Sequence, residues 1–420
     1  MDGMRDFDAA SASKTALSIR LVGLFVAQLC VYSTLSALCF ACPLYLLDRS
    51  GSSTLYGAVA AMAFIPGVLA TPAGGVLADR EGHRSVLAAL GIVLMVAAML
   101  FIPMKCSLPL AAVVAVMLCV QYVVQSILKP ILQIETLRIA GKEKVERATA
   151  LVSQTTMASN ILGPVVGTAV YGCLGIDVLC AIAAVAFAMS SLLFWAALKR
   201  NVHSEVTGDG STRMACQSDF LSAIRYLLQN TSLLAVILLA AVLNLALVGL
   251  TIGAPVIVTR HLGMQSSCVG IIEAAMGLGG LVGGGLVGIW PNRFSFNGIC
   301  RYVAMICLGV VPVIVTLPIG VDVIVFAALT VGSAWVMVWA SVASVEIVAF
   351  VQRTAPTELF GKVLSVVYMA LSCATPFGQL AYGFAYDRWA PAAVFAAMLV
   401  VLMLTTVLFY RLKSRSRQTM

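Results

Sequence analysis

Charged residues are scarce in this chain. Asp, Glu, Lys and Arg fill only 10% of 420 positions, hydrophobic residues fill 61%, and mean hydropathy is +1.02. A soluble domain carries about a quarter charged residues, so the scarcity excludes a water-soluble globule and points to a polytopic membrane protein. Histidine is scarcer still: His83, His203 and His261, each near a loop. With no metal-ligand cluster and no glycine-rich phosphate loop, the chain offers nothing to hold a resident metal or cofactor. None is expected, nor is an enzymatic site. No polar stretch is long enough to fold as a separate nucleic-acid-binding domain, so the formal charge of +8 is not read as a nucleic-acid signal. A cleavable signal peptide is not expected either. The first 18 residues are polar and mixed in charge, and the apolar run that follows is too long for a signal core. Cysteine, by contrast, is plentiful at 12, but most fall inside apolar runs as small packing residues. Cys39-Phe40-Ala41-Cys42 has redox spacing without a thioredoxin-like context.

What is abundant is apolar sequence of membrane-crossing length. Twelve spans are expected near 19–47, 54–77, 86–104, 107–137, 147–172, 177–198, 231–259, 267–290, 299–318, 322–351, 358–385 and 391–411. With the N-terminus on the cytoplasmic face, all but four of the 26 Lys and Arg fall on that face, the exceptions being Arg49, Lys105, Arg260 and Arg388. That asymmetry places both termini inside. The one long polar stretch, 199–230, contains Gly208-Asp209-Gly210-Ser211 and reads as a cytoplasmic linker. It divides the chain into an N-terminal six-helix half, 1–198, and a C-terminal six-helix half, 231–420. An echo between the halves agrees. Arg138-Ile139-Ala140-Gly141-Lys142-Glu143 precedes span 5 as Arg353-Thr354-Ala355-Pro356-Thr357-Glu358 precedes span 11, and the same offset sets Arg147 on Lys362 and Gly163 on Gly378.

Four charges, a histidine and a helix-breaking glycine fill the short gap after span 2: Gly75-Val76-Leu77-Ala78-Asp79-Arg80-Glu81-Gly82-His83-Arg84. Hydrocarbon does not tolerate such a run, so it forms a tight turn at a membrane face. The order resembles the signature loop between helices 2 and 3 of the major facilitator superfamily. Gly75, Leu77, Ala78, Asp79, Arg80, Gly82 and Arg84 match, and His83 replaces the usual first basic residue. The resemblance implies an all-α polytopic fold of two six-helix bundles related by a parallel repeat, with a small-molecule site between them near the midplane. It also implies that Asp79 lies against the start of helix 11, here Pro356-Thr357-Glu358, where the positive end of the helix dipole attracts a carboxylate. The second copy of the loop, Gly284 to Arg293, is degenerate: Gly288 stands for the aspartate and Pro291 for the second glycine.

Gly163-Pro164-Val165-Val166-Gly167 in span 5 resembles the glycine-proline motif of the superfamily's exporters. Proline kinks the helix and the glycines admit a close neighbour. The expected neighbour is span 8, where Gly280, Gly284 and Gly288 recur every fourth residue. Acids deep in the spans are few, and a charge there costs at least about 2.5–3.5 kcal/mol. Glu273 in span 8 and Glu346 in span 10 are therefore candidates for proton coupling, while Glu135 and Asp322 lie near interfaces. Lys129 and Glu135 are not spaced to pair. Neutral candidates for a central cavity are Gln28 and Tyr32 in span 1, Gln121 and Gln125 in span 4, Asn244 in span 7, and the Trp335–Trp339 pair in span 10. Amides and aromatic rings suit a bulky, partly apolar solute.

Within the superfamily the chain looks most like bacterial macrolide-efflux and siderophore exporters. These share Ser50-Gly51-Ser52-Ser53 after helix 1, Pro66 and Pro72 in helix 2, and Lys129-Pro130 in helix 4. The expected function is proton-coupled export of amphipathic small molecules by a monomer in the bacterial inner membrane, in contact with the lipid bilayer. A nutrient importer or facilitator of the same fold is the alternative. A non-transporting sensor or membrane enzyme would need a catalytic cluster or an extramembrane domain.

Overall fold

The computed structural model describes residues 2–78, 83–140, 145–198, 230–290, 293–354 and 360–418. Their long elements are all α-helices: α1 (Asp2–Ser50), α2 (Ser53–Ala78), α3 (His83–Ser107), α4 (Leu110–Ala140), α5 (Val145–Leu174), α6 (Ile176–Ala197), α7 (Thr231–Val256), α8 (Ser267–Ile289), α9 (Ile299–Thr316), α10 (Asp322–Thr354), α11 (Phe360–Arg388) and α12 (Pro391–Gln418). Helices satisfy their own backbone hydrogen bonds, the condition for crossing hydrocarbon. Among the described residues ten, α1 to α10, are long and apolar enough to cross a membrane, and the described apolar part of α12, Pro391–Val407, is shorter. At two of the short connectors a glycine takes a positive φ. Gly175, at φ 86°, is the sole residue between α5 and α6. Gly51, at φ 63°, closes α1 by donating its N–H to the Leu47 carbonyl at 2.8 Å.

The chain forms two compact units: Met1–Leu46 with Met62–Thr207, and Leu47–Ala61 with Gly208–Met420. The corner between α1 and α2 thus packs with the second unit, although the sequence halves assign it to the first. Most of the linker, 199–229, lies outside the described residues. Its last residue, Asn230, caps α7 by accepting the Leu233 N–H on its side chain at 3.3 Å.

Each unit repeats one set of helix pairings, and small residues make them. In the first unit Gly163 and Gly167 of α5 lie on Ser33, Ser36 and Ala37 of α1, and Gly67 and Gly74 of α2 lie on Tyr122, Ser126 and Ile127 of α4. Gly91 of α3 meets Phe187 and Ser191 of α6. In the second unit Gly378 of α11 lies on Leu245 and Val248 of α7, Gly279 and Gly283 of α8 lie on Ala334, Val338 and Ser341 of α10, and α9 packs along α12. Gly163 and Gly378, matched in the sequence echo, do the same work in their own units. Lipid tails are as apolar as leucine, so packing at small residues, not hydrophobic exclusion, holds such helices together.

The glycines of the expected span 5 and span 8 seam have these neighbours within their own units. A methyl on Gly163 or Gly167 would strike α1, and on α8 the tightly filled positions are Gly279 and Gly283 against α10. Among the described residues Gly280 and Gly284 meet Met337 Cε at 4.0 Å and Ser341 Oγ at 3.6 Å, and Gly288 meets nothing within 4 Å. The close approach of α8 within its unit is thus made one position before Gly280 and Gly284. Pro164 lies inside α5, where Thr168 donates its hydroxyl to the Pro164 carbonyl at 2.7 Å. Overpacking a filled contact costs about 1–3 kcal/mol. Gly283→Val is accordingly expected to lower the apparent Tm of the purified protein in detergent, while Gly284→Ala and Gly288→Ala leave it within error of wild type. Equal losses at all three positions would contradict this packing.

Candidate functional site

In the first unit, polar groups gather along α1 and α4. Gln28 is wholly buried, and among the described residues neither its amide nitrogen nor its oxygen finds a hydrogen-bond partner. Tyr32, one turn on, is also buried. Gln121 is buried, its Oε1 accepting the Cys39 S–H at 2.8 Å while its Nε2 has no partner. Gln125 is half-buried one turn further along α4. Buried amides normally find partners, because leaving one unpaired costs about 1–3 kcal/mol. Both glutamines lie in helices long and apolar enough to cross a membrane. Cys39 and Cys42 are both free thiols, without a disulfide.

Around the α2–α3 turn, Gly75 lies within α2, and Asp79, Arg80 and Gly82 lie outside the described residues, as do Pro356, Thr357 and Glu358. Arg84 is described: its guanidinium lies over the Trp195 ring at 3.9 Å, a cation–π contact between α3 and α6. His83, in the place of the family's basic residue, is buried with its Nδ1 2.5 Å from Glu135 Oε1 of α4. Glu135, read from sequence as an interfacial acid not spaced to pair with Lys129, is paired with the histidine.

In the second unit Glu273 of α8 has one carboxylate oxygen, Oε1, buried with no hydrogen-bond partner among the described residues. Tyr56 lies within its electrostatic reach. Glu346 of α10 is buried too, and Asn244 of α7 is half-buried. The aromatic pair divides its roles. Trp339 stacks on Tyr302 with centroids 6.0 Å apart and leaves its buried Nε1 unpaired, whereas Trp335 is 41% exposed and donates its indole N–H to the Met305 carbonyl of α9 at 2.9 Å. Trp335 is thus committed to the α9–α10 contact. Among the described residues no three His, Cys, Asp or Glu side chains converge as metal ligands.

The densest polar cluster of the second unit was not singled out in the sequence. Asp387, next to the end of α11, accepts the Ser53 N–H at 2.8 Å and the Arg260 guanidinium at 2.6 Å on Oδ1, and the Thr54 N–H at 2.7 Å and the Ser52 hydroxyl at 2.9 Å on Oδ2. Arg260 also donates to Ser53 Oγ at 3.0 Å. Ser52 Oγ in turn accepts the Leu55 N–H at 3.1 Å, so the open first turn of α2 is capped twice over. Partial burial pushes the Asp387 carboxyl up, but the hydrogen bonds from Thr54, Ser53 and Arg260 outweigh it and hold the group well below the usual carboxylate range. A π-helical turn, Ile257–His261, carries Arg260, a deformation often found at functional sites. The sequence held two clues: Arg260 was one of four basic residues off the cytoplasmic face, and Ser52-Ser53-Thr54 after a glycine has the composition of a helix start.

Solved structures with this architecture are transporters. A bacterial homologue of the iron transporter ferroportin in an inward-facing state superposes with a TM-score of 0.71 at 15% identity, over 94% of this chain and 98% of that one. A bacterial homologue of the human lysosomal transporter Spinster, inward-facing and unoccupied, gives a TM-score of 0.68 at 12% identity over 94% and 97%. The nucleoside transporter NupG gives 0.67 at 13% over 94% and 98%. At such identities the likeness shows the fold alone. No match is found among curated proteins. The family profile described as Major Facilitator Superfamily matches residues 24–348. With more than three quarters of its length matched and the helical architecture to go with it, this chain belongs to the Major Facilitator Superfamily of membrane transporters.

Proposed function

We propose that the protein is a proton-coupled exporter of amphipathic small molecules, working by alternating access with twelve membrane-crossing helices and both termini in the cytoplasm. The observation that carries the coupling is Glu273: a carboxyl oxygen buried and unpartnered in a membrane-crossing helix. An acid persists at such a place when it faces a partner or a pathway. Glu346, buried in α10, is the second coupling candidate. Gln28, the Gln121 Nε2 and the Trp339 Nε1 supply hydrogen-bonding groups without partners among the described residues, which suits an amphipathic solute. Export, in place of import, rests on the resemblance of Gly163-Pro164 to the exporters' helix-5 motif, and the macrolide-efflux or siderophore-export branch on the short motifs in helices 1, 2 and 4. A monomer in a bacterial inner membrane is the setting this reading implies.

Protons drive the cycle if a carboxyl binds one in one state and releases it in the other. Glu273→Gln, Glu346→Gln or both should therefore abolish efflux driven by an imposed pH gradient in proteoliposomes while a screened substrate still binds with measurable affinity. Flux that survives in both single variants and the double variant would rule out these acids and favour a facilitator.

Asp79, by the family resemblance, holds the cytoplasmic side closed from the end of α2 against the start of α11. A carboxylate at a helix start contributes about 0.3–1 kcal/mol when exposed and up to about 2 kcal/mol when partly buried. Asp79→Asn should shift the population severalfold toward the inward-open state and slow transport with near-normal expression. Spin-label distances across the cytoplasmic ends that fail to lengthen would contradict the role.

A further inference from the structure

We infer that His83 and Glu135 form a proton-binding site inside the first unit, separate from Glu273 and Glu346, and that its occupancy makes transport depend on the pH at that end of the helices. The second half of the inference rests on the proton-coupled reading above; the first half does not. Both residues belong to the first unit, His83 as the opening residue of α3 and Glu135 near the end of α4.

Depth sets the pair apart. Its side chains are 1% and 9% exposed, against 13% and 54% in Lys105–Asp177 and 36% and 20% in Arg260–Asp387. A carboxylate this deep is costly without a cation beside it. Lysine and arginine keep their charge near neutral pH, whereas histidine is the side chain that ordinarily changes charge between about pH 5 and 8. Nδ1 and Oε1 lie 2.5 Å apart, a distance at which two bare acceptors repel. With Glu135 ionised, Nδ1 therefore carries the hydrogen and donates it to Oε1, and the ring's lone pair is on Nε2, which is buried as well. Uptake of one proton forms an N–H bond at Nε2, turns the imidazole into an imidazolium and takes the pair from one negative charge to neutral. The Nδ1–H bond to Oε1 serves both states, so the site fills and empties without the two side chains parting. Groups this close titrate together, and the proton belongs to the pair.

The pair joins two tight helix contacts of the same unit. α3 is fixed to α6 by Gly91 on Phe187 and Ser191 and by Arg84 over Trp195, and α4 to α2 by Gly67 and Gly74 on Tyr122, Ser126 and Ile127. His83 and Glu135 bridge from α3 to α4, so the charge they carry acts on the seam between those helix pairs. The other charged residues on the elements around them are Arg84 on α3, Lys129 and Arg138 on α4, Glu146 and Arg147 at the start of α5, and Asp177 at the far end of α6. Lys199 and Arg200 follow α6, while α2 carries no charge before the turn residues Asp79, Arg80 and Glu81. Arg84 is turned to Trp195 and Lys129 is exposed. His83 is the only histidine among them.

Two measurements on the full-length protein in liposomes test this. For the first, His203 and His261 are replaced by glutamine, which leaves His83 as the only histidine ring. Solid-state NMR of the nitrogen-15-labelled ring should pass from the neutral to the imidazolium pattern between about pH 8 and 5, and Glu135→Gln should displace the midpoint. A ring that keeps one pattern across that range, or a midpoint unmoved in Glu135→Gln, would overturn the site. For the second, flux is followed as the pH is varied on the side of the α2–α3 turn. In Glu135→Gln the midpoint of the flux profile should move with that of the ring, and His83→Arg, which keeps a cation beside Glu135 without titrating, should flatten the profile. A flux midpoint that stays in place while the ring midpoint moves would overturn the link to transport. If His83→Arg carries no flux, the Glu135→Gln comparison decides. If wild-type protein moves no compound, the transport reading fails, and the ring titration still decides whether the site binds a proton.

Discussion

Everything in this fold depends on close backbone approach between helices that gain little from leaving lipid. Burying leucine against leucine is no better than leaving it among acyl chains, so the helices are held where side chains are absent. Gly163 on Ser36, Gly283 on Val338 and Gly67 on Tyr122 are the same solution in three places. The solution repeats with the chain: the first helix of each unit takes the glycine face of the fifth, the second lays its own glycines on the fourth, and the third packs on the sixth.

The sequence made the membrane class and the repeat legible because both are written in long-range composition. Apolar runs, the polar linker and the matched Gly163 and Gly378 survive any shift of a few residues in a boundary. Partner choice was less legible. Glycines at 280, 284 and 288 share a face, but one position of register along α8 separates a glycine that touches a carbonyl from one that meets open space, and that register is set by α10, not by α8. Glu135 illustrates the same limit: its partner His83 lies 52 residues away, beyond any same-helix spacing rule. The cavity candidates were readable as residue types, since glutamine in an apolar run is conspicuous. Whether each was satisfied was not, and Trp335 proved to be bonded to α9 where Trp339 was not.

The family signature directs attention to one carboxylate, Asp79, at the end of α2 and to the open start of α11. The structure holds the reciprocal arrangement: a carboxylate at the end of α11, Asp387, on the open start of α2. Exposed N–H groups at a helix start make it a ready anion site. Either device therefore needs only one acid at the end of a helix beside the start of another. The signature loop was conspicuous because five polar residues interrupt two apolar runs. Asp387 is a single acid beside Arg388 and Trp389, and nothing local distinguishes it from a residue that merely ends a helix.

Two kinds of polar group stand in contrast. Those of the partly exposed Asp387 cluster bond to one another, so they favour the one conformation that pairs them. Gln28, Gln121 and Glu273 are buried with unpaired atoms, so they favour any state that brings them water, a proton or a solute. A solute shifts a conformational equilibrium only by its difference in affinity for the two states. Moving a population from 1:99 to 99:1 takes about 5.5 kcal/mol, and each unpaired buried group that gains a partner yields about 1–3 kcal/mol. Two or three of them satisfied together supply an energy of that size. On the proposed alternating-access reading, a chain so poor in charge cycles between states by redistributing a handful of hydrogen bonds.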